Sequence, residues 1–263
     1  MSVAGTGRPL RCASRSCQGL CRARSDAVDD RRRSRHRLKG FLLRHGYRYQ
    51  GKSSWSAAHE RYLRELVLPH PAMKVILEEY LQGIAAADER IGRCEAAMRD
   101  LLEQWRLAPA VRALMAMKGF QSVAAMILVS ELGEVHRFGH PRQVMAYLGL
   151  VPTENSSSDR RRQGHITKCG NAHARWLLVE CAQHYASSPK VSKELSRRQQ
   201  GQSHEVRSIS WRAQNRLLIA TRVCWRGDSS ATKRSWLSRE SCAVLSGNYC
   251  APNPATRRNP RSV

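Results

Sequence analysis

Leu77, Ile84, Ile91, Met98 and Trp105 recur at every seventh residue, and Tyr80, Ala87, Cys94 and Leu101 form a second row three positions after the first four. Apolar side chains in that alternation of three and four line one side of an α-helix as a continuous seam. The pattern commits residues 72–108 to one long coiled-coil helix, and a seam of this length has to be covered by a helical partner. Two partners fit: a second copy of the chain, or an intramolecular hairpin with the region of Ala57 to Leu66. Between Ala72 and Trp105 there are seven acidic and four basic residues. This helix is therefore built for association and not for a polyanionic surface.

The rest of the chain is strongly basic. Lys and Arg number 45 against 21 Asp and Glu, a net charge of +24. Such an excess selects polyanionic partners, nucleic acid first and a membrane surface a distant second. No apolar run of about 18 residues is present, and the N-terminus has no apolar signal core, so a cytoplasmic protein is expected. Residues 1–21 mix Gly, Ser, Arg and Cys without period and are expected to be disordered. Residues 22–71 form a basic helical region. There Val28, Leu38, Phe41 and Leu42 make an apolar stripe, and Arg31, Arg32, Arg33, Arg35, Arg37 and Lys39 crowd the remaining surface. Gly46 stops this helix, Ser56 is placed to cap a short second one, and Pro69 and Pro71 end that.

Nine cysteines suggest a metal or disulfide framework until they are placed. Six of them, Cys12, Cys17, Cys21, Cys224, Cys242 and Cys250, lie near the two ends, and no spacing makes a paired Cys-x-x-Cys site. His165, Cys169 and His173 recur every four residues, but Gly170 and Asn171 interrupt the helix that would gather them. No metal site is assigned.

Pro109 opens a further domain, residues 109–218. Val111 to Leu132 reads as two apolar helices around Lys118-Gly119-Phe120. This is a helix-hairpin-helix-like unit whose turn, with Lys118 and Gly119, can hold a DNA phosphate without reading bases. Phe138, Val144, Tyr147 and Leu148 supply the next packed helix, which ends in Gly149-Leu150-Val151-Pro152. A hydroxyl-rich and arginine-rich loop follows: Ser156, Ser157, Ser158, Asp159, Arg160, Arg161 and Arg162, then Gly164 to Asn171 with Lys168, then a helix through Arg175. By residue type alone Ser157 is a turn or capping serine. For it to attack a phosphodiester, its proton has to be removed and cations have to stabilise the pentacovalent charge. Arg160, Arg161, Arg162, Lys168 and Arg175 supply cations, and guanidinium forks suit phosphate oxygens. No spaced carboxylate set for a metal pair occurs. Residues 219–263 lose helical patterning and are expected to be a disordered tail.

The segment Leu114 to Tyr185 carries Lys118-Gly119-Phe120, Glu131-Leu132-Gly133, Arg137-Phe138, Tyr147-Leu148-Gly149-Leu150-Val151-Pro152, Ser156-Ser157, Gly164-His165-Ile166-Thr167-Lys168-x-Gly170-Asn171 and Arg175. In this order the motifs resemble the C-terminal domain of the insertion-sequence one-ten family of bacterial transposases. Arg37-Leu38-x-x-Phe41-Leu42-Leu43-Arg44-His45-Gly46 resembles the helical segment upstream of the coiled coil in the same proteins, and the whole likeness runs over roughly residues 22–218.

The resemblance implies a DNA recombinase that moves an insertion sequence. Its composite active site would combine a RuvC-like nuclease domain, which holds Mg²⁺ through four acidic ligands, with a serine of the C-terminal domain. The matching serine is Ser157, followed by Ser158 where the family has glycine. DNA, an element-encoded guide RNA and further copies of the chain are the implied partners. No counterpart of the acidic nuclease half is present. The expectation is therefore a mainly α fold that comprises a basic helical region, a coiled coil and a compact helical transposase domain. It would be an incomplete copy with frameshifted or foreign ends, inactive by itself. The rival expectation is a non-catalytic, dimerising DNA-binding remnant or regulator.

Overall fold

The computed structural model describes residues 7–134, 137–154 and 163–226. These form α1 (Gly7–Arg44), α2 (Ala57–Glu65), α3 (Pro71–Gln104), α4 (Ala108–Met115), α5 (Ser122–Leu132), α6 (Pro141–Tyr147), β1 (Pro152–Glu154), β2 (Gln163–Ile166), α7 (Ala172–Gln183), α8 (Lys193–Gln199) and α9 (His204–Arg226). The mainly α expectation holds. The chain divides into two compact units, Gly19–Asp100 and Met1–Gln18 with Leu101–Val263.

In the first unit the heptad seam lies on α3, and α1 of the same chain runs antiparallel along it. Leu77, Ile84, Ile91 and Met98 are all buried. Ion pairs along the flank fix the register: Arg24 Nη2 to Glu95 Oε1 at 2.8 Å, Arg31 Nη1 to Asp88 Oδ1 at 2.6 Å and Arg90 Nη1 to Asp30 Oδ2 at 2.9 Å. The acidic residues of α3 thus meet arginines of α1. The hairpin partner of the seam is α1, where the sequence pointed to the Ala57 to Leu66 region. That region, as α2, covers one end alone: it closes the open end of the hairpin, where Leu63 joins Leu38, Phe41, Leu42, Leu77 and Ile84 in one apolar cluster. Ser56 caps α2 as expected, its Oγ accepting from His59 N at 3.3 Å.

Two expectations about the ends are corrected. Residues 7–21 are helical, not disordered, and Cys17 and Cys21 are fully buried. The buried face of this stretch is made of cysteine and, further on, Ala27, small residues that a search for Leu, Ile and Phe passes over. Asp26, Asp29 and Asp30 consequently sit in mid-helix, where Asp30 pairs with Arg33 and Arg90. At the other end α9 continues to Arg226, beyond the expected limit at 218.

The second unit is organised around α5, whose residues from Ala125 to Leu132 are all buried. A helix apolar on every side belongs in the middle of a bundle, and α4 and α7 pack directly against it. The helix-turn-helix read from Val111 to Leu132 is α4 and α5. The short antiparallel pair β1 and β2 was not foreseen, because three- and four-residue strands carry too little alternation to register. Among the described residues no helix is long and apolar enough to cross a membrane.

Because the seam is closed within one chain, Ile84→Ala is expected to cost about 2–5 kcal/mol. Urea unfolding should show that loss with a midpoint unchanged over a hundredfold range of protein concentration; a concentration-dependent midpoint would assign the seam to an intermolecular coiled coil.

Candidate functional site

The backbone crosses itself where α6 ends and α7 begins. Gly149 has φ +64°, and a Cβ placed there would lie 2.9 Å from both the N and the O of Cys169. At Gly170 a Cβ would lie 2.4 Å from Tyr147 O and 2.7 Å from Gly149 N. Two main chains are thus in direct contact, and neither position has room for a side chain. Hydrogen bonds lock the crossing: Thr167 N to Val151 O at 2.9 Å, Lys168 N to Gly149 O at 3.1 Å and Asn171 N to Tyr147 O at 3.1 Å.

A buried carboxylate ties this crossing to the core helix. The Glu131 side chain is fully buried, and its Oε2 accepts from Asn171 Nδ2 at 2.7 Å and from Gln18 Nε2 at 2.9 Å. His173 Nδ1 stands 3.3 Å from Oε1. The Tyr147 hydroxyl donates to the Glu131 carbonyl at 3.1 Å. Asn171 also caps α7, its Oδ1 accepting from Ala174 N at 3.0 Å. A buried carboxylate is tolerable only when its acceptor positions are filled, and here Gln18 from α1 and the pair Asn171 and His173 at the start of α7 fill them.

From the crossing β1 and β2 leave side by side, with Pro152 opposite Ile166 and Glu154 opposite Gln163. Both ends of the intervening stretch are therefore held together. That stretch, 155–162, contains Ser156, Ser157, Ser158, Asp159, Arg160, Arg161 and Arg162, which all lie outside the described residues.

The remaining site residues are placed as follows. Lys168 is exposed and adopts φ +57°, a left-handed conformation that lysine rarely takes. Arg175 Nη1 donates to Leu148 O at 2.8 Å and Lys168 O at 3.2 Å, which makes it a staple across the crossing. Lys118 Nζ donates to Ser187 Oγ at 2.9 Å and to the carbonyls of Ser187 and Ser188 at 3.3 and 3.2 Å. Its pKa lies below the ordinary lysine value through burial and the nearby Lys190. A Cβ at Gly119 would lie 2.6 Å from Cys181 O. Ala116 O accepts from Gln199 Nε2 and Ser210 Oγ, both at 2.9 Å, and Phe120 O accepts from Arg198 Nη1. The α4–α5 turn is thus packed against its own domain, and the donors of Lys118 serve protein acceptors.

Glu131, Asn171 and Gln18 escaped the sequence reading as site residues. A signal for the first existed: Glu131 is the one charge in the run from Val123 to Leu132. His165 and Cys169 are exposed while His173 is turned to Glu131. Among the described residues no group of three or more His, Cys, Asp or Glu stands where it could hold a metal ion.

Glu131, Tyr147, Gly149, Lys168, Gly170, Asn171 and Arg175 all fall within residues 111–200, which match the model of a transposase domain described as the Transposase IS116/IS110/IS902 family. That stretch is a transposase domain of this family. The chain is similar to a protein of Sinorhizobium fredii named as a transposase, y4qE, with 37% identity over 86% of this chain and 55% of the relative. It is also similar to the transposase for insertion sequence element IS1111A of Coxiella burnetii, with 25% identity over 63% of this chain and 45% of the relative. A protein of Pseudomonas aeruginosa named as a family 20 transposase is 29% identical over 63% of this chain and 49% of its own. The chain spans about half the length of the curated relatives it matches.

If the crossing is the frame of this site, Gly149→Ala should destabilise the second unit by on the order of 3 kcal/mol or more, because backbone has to move. Asn171→Ala should cost about 1–3 kcal/mol by uncapping α7 and leaving Glu131 under-satisfied. Thermal unfolding followed by circular dichroism checks both, and a Gly149→Ala protein as stable as the parent would refute the crossing.

Proposed function

We propose that this chain acts on DNA as the serine-bearing part of an insertion-sequence transposase. In this reading the Ser157 Oγ attacks a backbone phosphorus, a bond from Oγ to phosphorus forms, the bond to the leaving DNA oxygen breaks, and the serine proton ends on that oxygen as a free DNA hydroxyl. A seryl-phosphodiester results. Arg160, Arg161 and Arg162, with exposed Lys168 beside them in sequence, neutralise the phosphate oxygens as charge accumulates. The observation that carries the reading is the pinned pair of strands. β1 and β2 hold the two ends of the serine and arginine stretch together on a frame of Gly149, Gly170 and Glu131, inside the family-matched region. A nucleophile needs such a fixed mount to gain from proximity. Arg175 staples that mount, Lys118 is held by Ser187 and Ser188 beyond the far end of α7, and in this reading contact with phosphate falls to the loop arginines and Lys168.

Mg²⁺ is expected for this family. The described residues do not fit it, since no three potential ligands stand together among them, so no step is routed through the ion. The metal-binding carboxylates are assigned to a separate acidic nuclease segment. The same observation favours the second reading, a DNA-binding protein that occupies element ends without cutting them.

The chain alone, with Mg²⁺ and element-end DNA, is expected to retain the DNA in a salt-sensitive manner and to give no strand transfer. With the N-terminal half of the Sinorhizobium fredii relative supplied in trans, a nicked element end should trap a covalent protein–DNA adduct, and Ser157→Ala should abolish it without loss of retention. An adduct formed by Ser157→Ala would overturn the serine assignment. Retention without any adduct from the parent would establish the second reading.

A further inference from the structure

A cleft of about 370 Å³ opens in the first unit between the C-terminal part of α1, the segment 47–55 and the start of α2. Its size lies at the small end of ligand sites, which run from about 300 to 1,000 Å³. Three aromatic side chains, Tyr47, Tyr49 and Trp55, line it, together with His59, Lys39 and Arg48. Tyr49 and Trp55 belong to one connected set of rings with His59 and Tyr62. The Tyr49 ring meets the His59 ring at 4.7 Å and the Tyr62 ring at 5.2 Å, and Trp55 meets His59 edge-on at 5.1 Å. Gly51 lets Tyr49 fold back, since a Cβ there would lie 2.3 Å from the tyrosine ring. The Arg35 guanidinium stands 4.6 Å above the Trp55 ring.

Two features of this wall are unexplained by folding. Trp55 holds φ +64°, a conformation in which a bulky residue is strained. His59 is buried, with 7% of its surface exposed, yet its Nδ1 has no hydrogen-bond partner, and the buried Nε of Arg35 has none either. A buried polar atom without a partner costs about 1–3 kcal/mol unless a ligand supplies one. Burial also holds the His59 pKa below its ordinary value, against the opposing effect of Glu60, and so favours the neutral ring.

We propose that this cleft binds one unpaired nucleotide of a single-stranded nucleic acid, with the base stacked among Tyr47, Tyr49 and Trp55, its polar edge at His59, and its phosphate on Lys39 and Arg48. Charge decides the class of ligand. The cationic rim repels organic cations, the other group that aromatic cages take, and the ligand needs both a flat apolar ring and an anion. A base stacked on aromatic side chains beside a cationic groove is the mode by which single strands are held without sequence preference. Duplex bases, being stacked on one another, cannot enter. The proposal rests on the reading that this chain handles nucleic acid, and it adds an unpaired strand to the ligands of the first unit.

The test uses the whole chain and four probes, each carrying one photoactivatable 5-iodopyrimidine: dodecamers of deoxythymidine and of uridine, a hairpin duplex of mixed sequence, and the same duplex with the labelled nucleotide flipped out. Crosslinking should map to a peptide within residues 47–59 for the single strands and the bulged duplex, and not for the intact duplex. His59→Phe, which keeps the ring packing, and Lys39→Glu should each weaken single-strand binding at least about fivefold while duplex retention is unchanged. Trp55→Phe, which removes the indole and keeps the fold, should do the same. Crosslinks outside 47–59, or variants that bind single strands as the parent does while duplex binding persists, would overturn the cleft and leave the transposase reading intact. Failure to bind any of the four probes would defeat both. A preference between the deoxythymidine and uridine dodecamers identifies which strand is the ligand.

Discussion

The contact of two main chains at Gly149 and Gly170 is the constraint from which the second unit is built. With no side chain between them, the end of α6 and the start of α7 approach closely enough to exchange three backbone hydrogen bonds, and Arg175 bridges both carbonyl ends of the contact. Glu131 then anchors the crossing from below. Its carboxylate reaches Asn171, Gln18 and His173, so the core helix, the first turns of α1 and the cap of α7 share one buried polar cluster. Such a cluster is stable only when complete, because each member left without a partner would cost more than the hydrogen bond is worth. The strands that frame the serine stretch inherit their positions from it.

A different balance holds the first unit. α1 carries twelve Lys and Arg against three Asp, and by itself it would repel its own turns. Antiparallel pairing with α3 relieves that strain on one side only. Asp88 and Glu95 meet Arg31 and Arg24 across the seam, while Arg32, Arg33, Arg37 and Lys39 remain exposed. Exposed ion pairs contribute little to stability, so the apolar seam carries the association and the charges set its direction. The same helix therefore packs on one face and carries exposed cations on the other.

Much of this was legible from the residues, for reasons that can be named. The heptad from Leu77 to Trp105 marked out α3 because seven-residue spacing has few other meanings, and Ser56 marked the start of α2 because a capping hydroxyl acts locally. The partner of the seam was not legible: helix pairing is a long-range choice, and α1 hides half its buried face behind Cys17, Cys21 and Ala27. At the candidate site the motif residues were visible as a set, but the contacts that hold them in place were not. Arg175 and Lys118 look like phosphate ligands by type, whereas their nitrogens serve carbonyl groups that only the folded chain brings near. Glycines 149 and 170, which carry no chemistry, turn out to position everything around them. Glu131 stood out as the one charge in an apolar run, but its partners Gln18 and Asn171, 113 and 40 residues away in sequence, could not be read from it.

The family match over residues 111–200 and the crossing go together, because the short motifs of that stretch meet one another in the fold. Each motif is one half of a contact with another: Tyr147 with Asn171, Gly149 with Gly170, Leu148 with Arg175, and Glu131 with Asn171 and His173. Amide hydrogen exchange at Thr167, Lys168 and Asn171 reports on that arrangement without any substitution. The three amides donate to Val151, Gly149 and Tyr147, and they are expected to exchange slowly and together with the buried amides of α5. Exchange at the rate of an open peptide, or at three unrelated rates, would mean that the two main chains do not meet and that the serine stretch has no frame.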